Sequence, residues 1–531
     1  MFGNSDLSLR VRDLLLLAAG LVVIFRVMRR FDTRAAWVAV VLIAGRYLAY
    51  GGAVQSLQRD WILALLAMAA IALVLGPGAW WRFFVAGAAV GFAATIKPPG
   101  FLLIMLVPVI GFVARDDSPD TPWRVRVRAR AAELIRSTAV AVSGAIIAIV
   151  VVVTWLVRSG GTSAFRWSVV HFLPVYGRLD SGGYPYGSHL TALGHQLVAT
   201  LLRPDLLLLV AGASLLLTLR RPRPAATALV ALAGLMAYGV LHAVIETKDW
   251  DYHYWPFTVA SLCVVVVSFS DLRASRSESW PQRTRAMRIS ARVYLGLWLL
   301  DIGLIGIEVA RAVAFRQHGQ LVAAPQQAWA ITLGLPLAVL SMRLLASARH
   351  RTTDSRMRER RGWIATGAML APLGFATILG ITVSIDPAGT TAIGVRPAYD
   401  NATVQRTDHL ARLLRARSRP GDRVQVLDTT GGGIAAVLKA GLEPGSRLMY
   451  DFPVYSDPSA AATTQMRADM IHDLAKFHPR FFLVYRQSWG PRNSYRSLNT
   501  FPALVRVLAH YRIVYQDSEV RRMERRRAPT T

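Results

Sequence analysis

Arg124-Val-Arg126-Val-Arg128-Ala-Arg130 is followed, a few residues on, by Ala139-Val-Ala-Val-Ser-Gly-Ala-Ile-Ile-Ala-Ile-Val-Val-Val-Val153. The second stretch, read as a segment over 137–157, is long enough to cross a hydrocarbon core of about 30 Å. The first is a dense block of positive charge, which marks the cytoplasmic flank of such a segment. The same contrast recurs along the chain. Apolar segments fall at 11–28, 35–50, 61–76, 83–96, 100–114, 137–157, 205–219, 225–245, 254–270, 292–310, 328–342 and 362–384. Several are short, so some are expected to be tilted, broken or re-entrant. Leu14–Phe25 has the length of a signal-peptide core, but no small-x-small cleavage site follows it and Arg26, Arg29 and Arg30 do. It is therefore read as a span.

The connections alternate. Those at 26–34, 115–136, 220–224, 271–290 and 343–361 are densely basic, the last carrying Arg356, Arg358, Arg360 and Arg361. Those at 51–60, 97–99, 158–204, 246–253 and 311–327 are sparse in positive charge for their length. With the basic loops cytoplasmic, the N-terminus and everything after 384 are expected on the opposite side. The expected fold is thus an all-α polytopic membrane domain over 1–384, of about 11–12 helices, followed by a small extracytoplasmic α/β domain over 385–531.

Composition fits this frame. Of 531 residues, 53% are hydrophobic and 18% charged, yet 61 basic side chains stand against 32 acidic ones, a net +29. A disordered or nuclear-type basic protein could not carry so much Leu, Val and Ala. Nucleic-acid binding is set aside because no basic groove with stacking aromatics is evident. Most of the surplus is a topology signal, with attraction to anionic membrane lipid as a secondary role. Four of the cations are lysines: Lys97, Lys248, Lys439 and Lys476. The single cysteine, Cys263, excludes an intrachain disulfide and a cysteine-based zinc site.

In the tail, an amphipathic stretch 401–417 precedes the strand-like Arg423-Val-Gln-Val-Leu-Asp428, a Gly431-Gly-Gly433 turn and a helical 434–440. Helical patterns at 460–477 and 501–510 alternate with Phe481-Phe-Leu-Val-Tyr485 and Tyr511-Arg-Ile-Val-Tyr515. Alternating strands and helices predict an α/β layer structure. The three glycines lack the Gly-Lys-Ser/Thr ending of a phosphate loop and read as a turn into a helix.

Chemistry is expected in the outward loops. Glu246-Thr-Lys248-Asp249-Trp-Asp251-Tyr252-His253-Tyr254-Trp-Pro256 gathers three acids, a lysine, a histidine and four aromatics at the start of a membrane segment. An interfacial belt explains the aromatics and a snorkelling lysine, but not this density of acids. Lys248 is the expected ligand of an anionic phosphate. Lys97, in Thr95-Ile-Lys97-Pro98-Pro99-Gly100, either snorkels from a helix end or lines a cavity opened by the Pro-Pro-Gly break. Gln58-Arg59-Asp60 sets a cation and a carboxylate at a helix start. The long outer loop carries His171, Tyr176, Arg178, Asp180, Tyr184, Tyr186 and His189, in a glycine-rich, aromatic setting that suits a binding loop. No spacing makes a recognisable metal site. A divalent cation remains compatible with these carboxylates. Asp301, inside an apolar segment, is the residue that would favour a transporter.

In order along the chain, these stretches resemble the C-type membrane glycosyltransferases, in particular bacterial relatives of the dolichyl-phosphate-mannose protein mannosyltransferases. Gln58-Arg59-Asp60 is similar to the family's Gln-Arg-Asp/Glu at a helix start, and Gly91-Phe-Ala-Ala-Thr-Ile-Lys97-Pro98 to its Gly-x-x-x-x-x-Lys-Pro stretch. Lys248 through Tyr252, with Tyr254 and Pro256, resembles its outward Lys…Tyr-Tyr-x-x-Pro element. Ser446-Arg447…Tyr450-Asp-Phe452 and Pro479-Arg-Phe-Phe-Leu-Val484 resemble the external domain of those relatives. The resemblance implies transfer of a sugar from a polyprenyl-phosphate donor to an acceptor outside the cytoplasm. It implies Lys248 and Lys97 at the donor phosphate, and Asp60, Arg59, His171, Tyr176, Asp180, Asp249, Asp251, Tyr252, His253 and Tyr254 around sugar or acceptor.

Phe2 to Arg10 resembles the stretch just before the family's second helix, so the chain is expected to lack the first helix and the acidic first external loop. A late-assigned start, a truncated paralogue and a member using another carboxylate all fit. Asp60, Asp180, Asp249 and Asp251 are the outward candidates for that carboxylate, and no catalytic base is assigned. Two readings from other classes stand beside the glycosyltransferase: a lipid-linked glycan or other secondary transporter, and a non-catalytic envelope-associated membrane protein.

Overall fold

The structure is a computed structural model. It describes residues 6–49, 58–76, 80–114, 123–179, 188–201, 223–248, 250–274, 292, 295, 296, 299, 401–429, 431–455, 457–486 and 494–526. The expected segments at 205–219, 328–342 and 362–384, Asp301 and the 384/385 boundary lie outside these, as does nearly all of 292–310.

Helices α1 (Asp6–Met28), α2 (Thr33–Ala49), α3 (Arg59–Val74), α4 (Trp80–Ile96), α5 (Leu103–Ala114), α6 (Trp123–Arg158), α8 (Arg223–Ile245) and α9 (Trp255–Ala274) follow the apolar runs, while α7 (His189–Leu201) falls in the connection expected between two of them. The largest departure is α6. It extends through the basic block as one 36-residue helix, because Arg, Ala and Glu are good helix formers and nothing between 123 and 137 breaks the ladder. Two helices among the described residues, Arg128–Arg158 and Thr227–Ile245, are long and apolar enough to cross a membrane, and Trp80–Ile96, Pro98–Val113 and Tyr252–Val267 are shorter apolar helices. On α6, Ile146, Ile147, Val150, Val151, Val153, Trp155 and Val157 all point outward. An outward apolar face of this kind suits a helix solvated by lipid rather than water.

Small residues set how closely the helices approach. A side chain at Gly87 or Gly91 of α4 would overlap the backbone of Ala141 or Ala145 on α6. Gly87-Ala-Ala-Val-Gly91 is thus a small-xxx-small seam of the kind that brings membrane helices into backbone contact. Gly239 of α8 meets the Phe257 backbone of α9 in the same way.

The described residues of the connection expected as a loop over 158–204 are largely helical. Thr162–Trp167, Ser168–Phe172 and Leu173–Tyr176 form consecutive helical turns, and α7 follows. Phe165, Val170, Leu190 and Val198 stay exposed on them. Glycine content suggested an open loop, but the apolar spacing of these segments suits helices lying at an interface.

The C-terminal sheet comprises β1 (Arg423–Leu427), β2 (Glu443–Pro444), β3 (Phe481–Tyr485), β4 (Tyr511–Gln516) and β5 (Val520–Arg525), in the order β2-β1-β3-β5-β4. β2, β1 and β3 are parallel, while β5 and β4 close the sheet antiparallel. β3 is apolar at every position because both its faces are covered. Phe482 and Val484 pack with Met466, Met470 and Leu474 of the helix Ala461–Phe477. Phe481, Leu483 and Tyr485 pack with Leu410 and Leu414 of Asn401–Arg417 and with Ala436 and Val437 of Gly433–Ala440. β2 and β5 escape a sequence reading. The first is two residues long, and Val-Arg-Arg-Met-Glu-Arg is too charged to announce a strand. Arg522, buried in β5, donates to the Leu413 carbonyl at 3.2 Å.

Candidate active site

Three of the stretches singled out in the sequence converge at one end of the helical domain. Asp60 lies in the first turn of α3, where the helix N-terminus stabilises a carboxylate. Lys97 ends α4. Its N–H still reaches the Ala93 carbonyl at 2.9 Å, but its backbone turns extended (φ −144, ψ 123) before the 3₁₀ turn Pro98–Leu102. Gly100 donates back to the Lys97 carbonyl at 2.9 Å and lies so close to the Ala93 backbone that a side chain there would collide with it. The chain therefore folds over the end of α4 and leaves the Lys97 side chain directed inward.

There the ammonium, only 4% exposed, is 2.9 Å from Asp60 Oδ1 and 3.3 Å from Glu246 Oε2. His242 Nε2 stands 2.7 Å from the same Asp60 oxygen. The Glu246 N–H bonds the His242 carbonyl at 3.1 Å, which places the two one turn apart at the end of α8. His253 Nδ1 donates to the Lys248 carbonyl at 2.9 Å, which fixes its tautomer and leaves Nε2 3.9 Å from Glu246 Oε2. Asp60 and His242 are fully buried, whereas the Glu246 side chain is 16% exposed and faces outward. Asp60 Oδ2, His242 Nδ1, Trp61 Nε1 and Tyr238 OH have no hydrogen-bond partner among the described residues. Each such buried atom costs about 1–3 kcal/mol, and their gathering around one ionic cluster marks a place shaped for something other than stability.

Lys248 is also fully buried, but in different company. It donates to the carbonyls of Tyr176 (3.0 Å) and Leu179 (2.6 Å) and to Thr247 Oγ1 (2.9 Å), and lies 4.5 Å from the Tyr176 ring. Thr247, at φ +56, donates its own hydroxyl to the Gly177 carbonyl at 3.0 Å. The lysine thus ties the 246–250 turn to the outer segment 173–179. Burial, with Glu246 as the next cause, raises the Tyr176 phenol above its ordinary value, so it remains a neutral hydroxyl.

The other expected residues spread around this core. Tyr254 is buried, with its hydroxyl 3.0 Å from Thr200 Oγ1 and 3.3 Å from Gln196 Nε2 of α7. Tyr252 is half-buried, edge-on to His253 at 4.6 Å. Arg59 is exposed beside Asp60, and His171 is exposed against the Trp167 ring at 6.0 Å. Asp180 and Asp249 lie outside the described residues, as do Tyr184 and Tyr186. Asp251 falls in the turn Asp251–Tyr254, and its side chain is not among those described. His242 was missed because it sits inside an apolar run. Its signal was the i, i+4 spacing to Glu246, which puts both on one helix face.

The C-terminal domain reaches this site through Tyr450-Asp-Phe452. The Phe452 ring is 6.0 Å from Phe172 and 5.8 Å from Tyr176, the residue whose carbonyl holds Lys248. Thr429 Oγ1 fixes the corner by donating to Asp451 Oδ1 at 2.6 Å. The Asp428 carboxylate accepts from the N–H groups of Gly431 (2.7 Å) and Gly433 (2.8 Å). The glycine loop therefore holds an internal anion and serves as a turn. Among the described residues, no group of three or more His, Cys, Asp or Glu side chains could hold a metal ion.

Comparison with models of known protein families finds no match, and comparison with curated protein sequences finds none either. Among solved structures, the chain is similar to ArnT from Cupriavidus metallidurans bound to undecaprenyl phosphate. That likeness has 16% identity and a TM-score of 0.44, covering 98% of this chain and 84% of the other. The apo state of the same protein aligns with 16% identity and a TM-score of 0.43, covering 97% of this chain and 83% of the other.

Proposed function

We propose that this chain is a multi-pass plasma-membrane glycosyltransferase that moves a sugar from a polyprenyl-phosphate donor to an acceptor on the extracytoplasmic side, where its C-terminal domain also lies. The observation that carries the reading is the meeting of Asp60, Lys97 and the 246–254 turn around one buried ionic cluster. These stretches lie far apart in sequence, and each was picked out for its own motif.

In this reading Lys97 is the phosphate ligand. It is paired with carboxylates rather than tied to backbone, so a lipid phosphate can replace Glu246, its outward-facing partner, while Asp60 stays held by His242. During transfer the bond between the anomeric carbon and the phosphate oxygen breaks, the departing phosphate takes the bonding pair, and the added negative charge develops against the Lys97 ammonium. The acceptor oxygen bonds to the anomeric carbon and gives its proton to an outward carboxylate; of the four expected candidates Asp60 is already held by Lys97 and His242, which leaves Asp180, Asp249 and Asp251. Lys248 acts one step back, holding the loop that carries Tyr176. Tyr252 and Tyr254 flank the sugar side.

The test is reconstitution of the full chain in liposomes with radiolabelled polyprenyl-phosphate hexose or pentose. Label should pass to a water-soluble or lipid acceptor, and Lys97→Met should abolish the transfer. A folded protein that neither binds nor turns over any such donor would end the proposal.

A further inference from the structure

At the opposite end of the α3–α4 pair lies a cavity of about 890 Å³ between α1, α3 and α4. Arg26, Arg29, Arg30 and Arg82 line it, with Trp81 at its rim and Ala69, Ala72 and Leu73 at its floor. No described carboxylate forms an ion pair with any of the four arginines, although Lys97, Arg447 and Arg480 elsewhere each have one. Arg30 donates to the Leu75 carbonyl, which fixes it at the end of α3. Arg82 stacks over Trp81 at 5.4 Å and presses against Gly76, where any side chain would displace it. Its Nε has no hydrogen-bond partner among the described residues. Four cations held together without an acid repel one another, and an anion among them relieves that repulsion.

The surroundings say which kind of anion. Along α1, Leu15 and Val22 form an exposed apolar stripe that runs directly into Arg26 and Arg29. Along α4, Val85 and Phe92 form a second stripe that starts at Trp81. An apolar track ending in guanidinium groups, with a tryptophan at the boundary, has the polarity profile of a lipid with an anionic headgroup. A free phosphate would use the arginines and leave the stripes uncovered.

We infer that this pocket binds the phosphate headgroup of an anionic phospholipid, its acyl chains lying along α1 and α4. The pocket is separate from the candidate active site. α4 has 17 residues, which puts its two ends about 25 Å apart.

The experiment is native mass spectrometry of the full chain in mild detergent, titrated with dioleoyl phosphatidylglycerol, dioleoyl phosphatidylcholine or inorganic phosphate. Phosphatidylglycerol adducts should form in preference to phosphatidylcholine and survive added phosphate. They should weaken about tenfold or more in Arg26→Gln/Arg29→Gln and recover in Arg26→Lys/Arg29→Lys, which keeps the charge. Lys97→Met, at the other end of α4, should leave them unchanged, so this result stands or falls apart from the catalytic reading. Equal retention of phosphatidylcholine would reduce the pocket to acyl-chain packing, and displacement by phosphate would assign it to a free anion. Undiminished phosphatidylglycerol binding in the folded glutamine variant would remove the arginines from it. Any of these three overturns the inference.

Discussion

The turns that carry Lys97 and Lys248 look alike in sequence: each holds an isolated lysine at the outer edge of an apolar segment. In the fold both ammonium groups are buried, yet one faces carboxylates and the other faces carbonyls. Lys97 stands between Asp60 and Glu246, charged partners that a phosphate can imitate. Among the described residues, Lys248 meets the Tyr176 and Leu179 carbonyls and Thr247, neutral acceptors that fix backbone to backbone. The difference teaches that a buried lysine's role is set by whether its partners can be exchanged.

The sharpest way to break that comparison is to remove Lys97. Lys97→Met should lower transfer by about 100-fold or more. It should also cost about 3–5 kcal/mol by leaving buried acids uncompensated. Lys97→Met/Asp60→Asn separates the two effects, because thermal stability should return while turnover stays lost.

Lys248→Met should instead act mainly through the fold. Losing a charged donor from three acceptors predicts a stability loss on the order of 2–4 kcal/mol. Transfer should fall about tenfold, chiefly in KM, as the 173–179 segment loosens. A Lys248 variant that is fully stable yet inactive would erase the distinction between the two lysines.

Phe452→Ala probes the same loop from the far side. It releases Tyr176 from the C-terminal domain, so a KM rise of a few fold with little change in kcat is expected. Limited proteolysis should show faster cleavage near 162–179.

The smallest effect is a control remote from both lysines. Arg447 grips the Asp473 carboxylate with its side chain, at 2.9 and 2.8 Å, and with its backbone N–H at 3.0 Å, which holds that carboxyl below its ordinary value. A depressed folded-state pKa stabilises the fold at pH values above the unfolded value of about 4 and is lost as pH falls through the depressed one. Thermal melts of the full chain should show this acid sensitivity, and Asp473→Asn should lessen it.

How much of this was legible in the sequence follows from the range of the interactions involved. The boundaries of α1 to α4 follow from apolar runs and charged flanks, which are local. β3 was plain because every residue of Phe481-Phe-Leu-Val-Tyr485 is apolar. β5 was hidden because its pairing is imposed by β3 rather than by Val-Arg-Arg-Met-Glu-Arg itself. At the site, Asp60 and Lys97 stood out as charges next to apolar runs. Their partnership with each other, and with His242, depends on how α3, α4 and α8 pack, and no local pattern records that. Gly91 read as the start of the stretch leading to Lys97 and Gly87 was not singled out, while the work of both is to let α6 approach.

The length of α4 has a consequence for where the protein can act. A helix of 17 residues spans about 25 Å, some 5 Å short of a typical hydrocarbon core. With its Trp80–Trp81 end at one headgroup level, its Lys97 end stops below the other. Under the proposed function, a bilayer around this helix thins, or a lipid phosphate is drawn inward, before the two meet. Membrane thickness is then a variable of the proposed reaction.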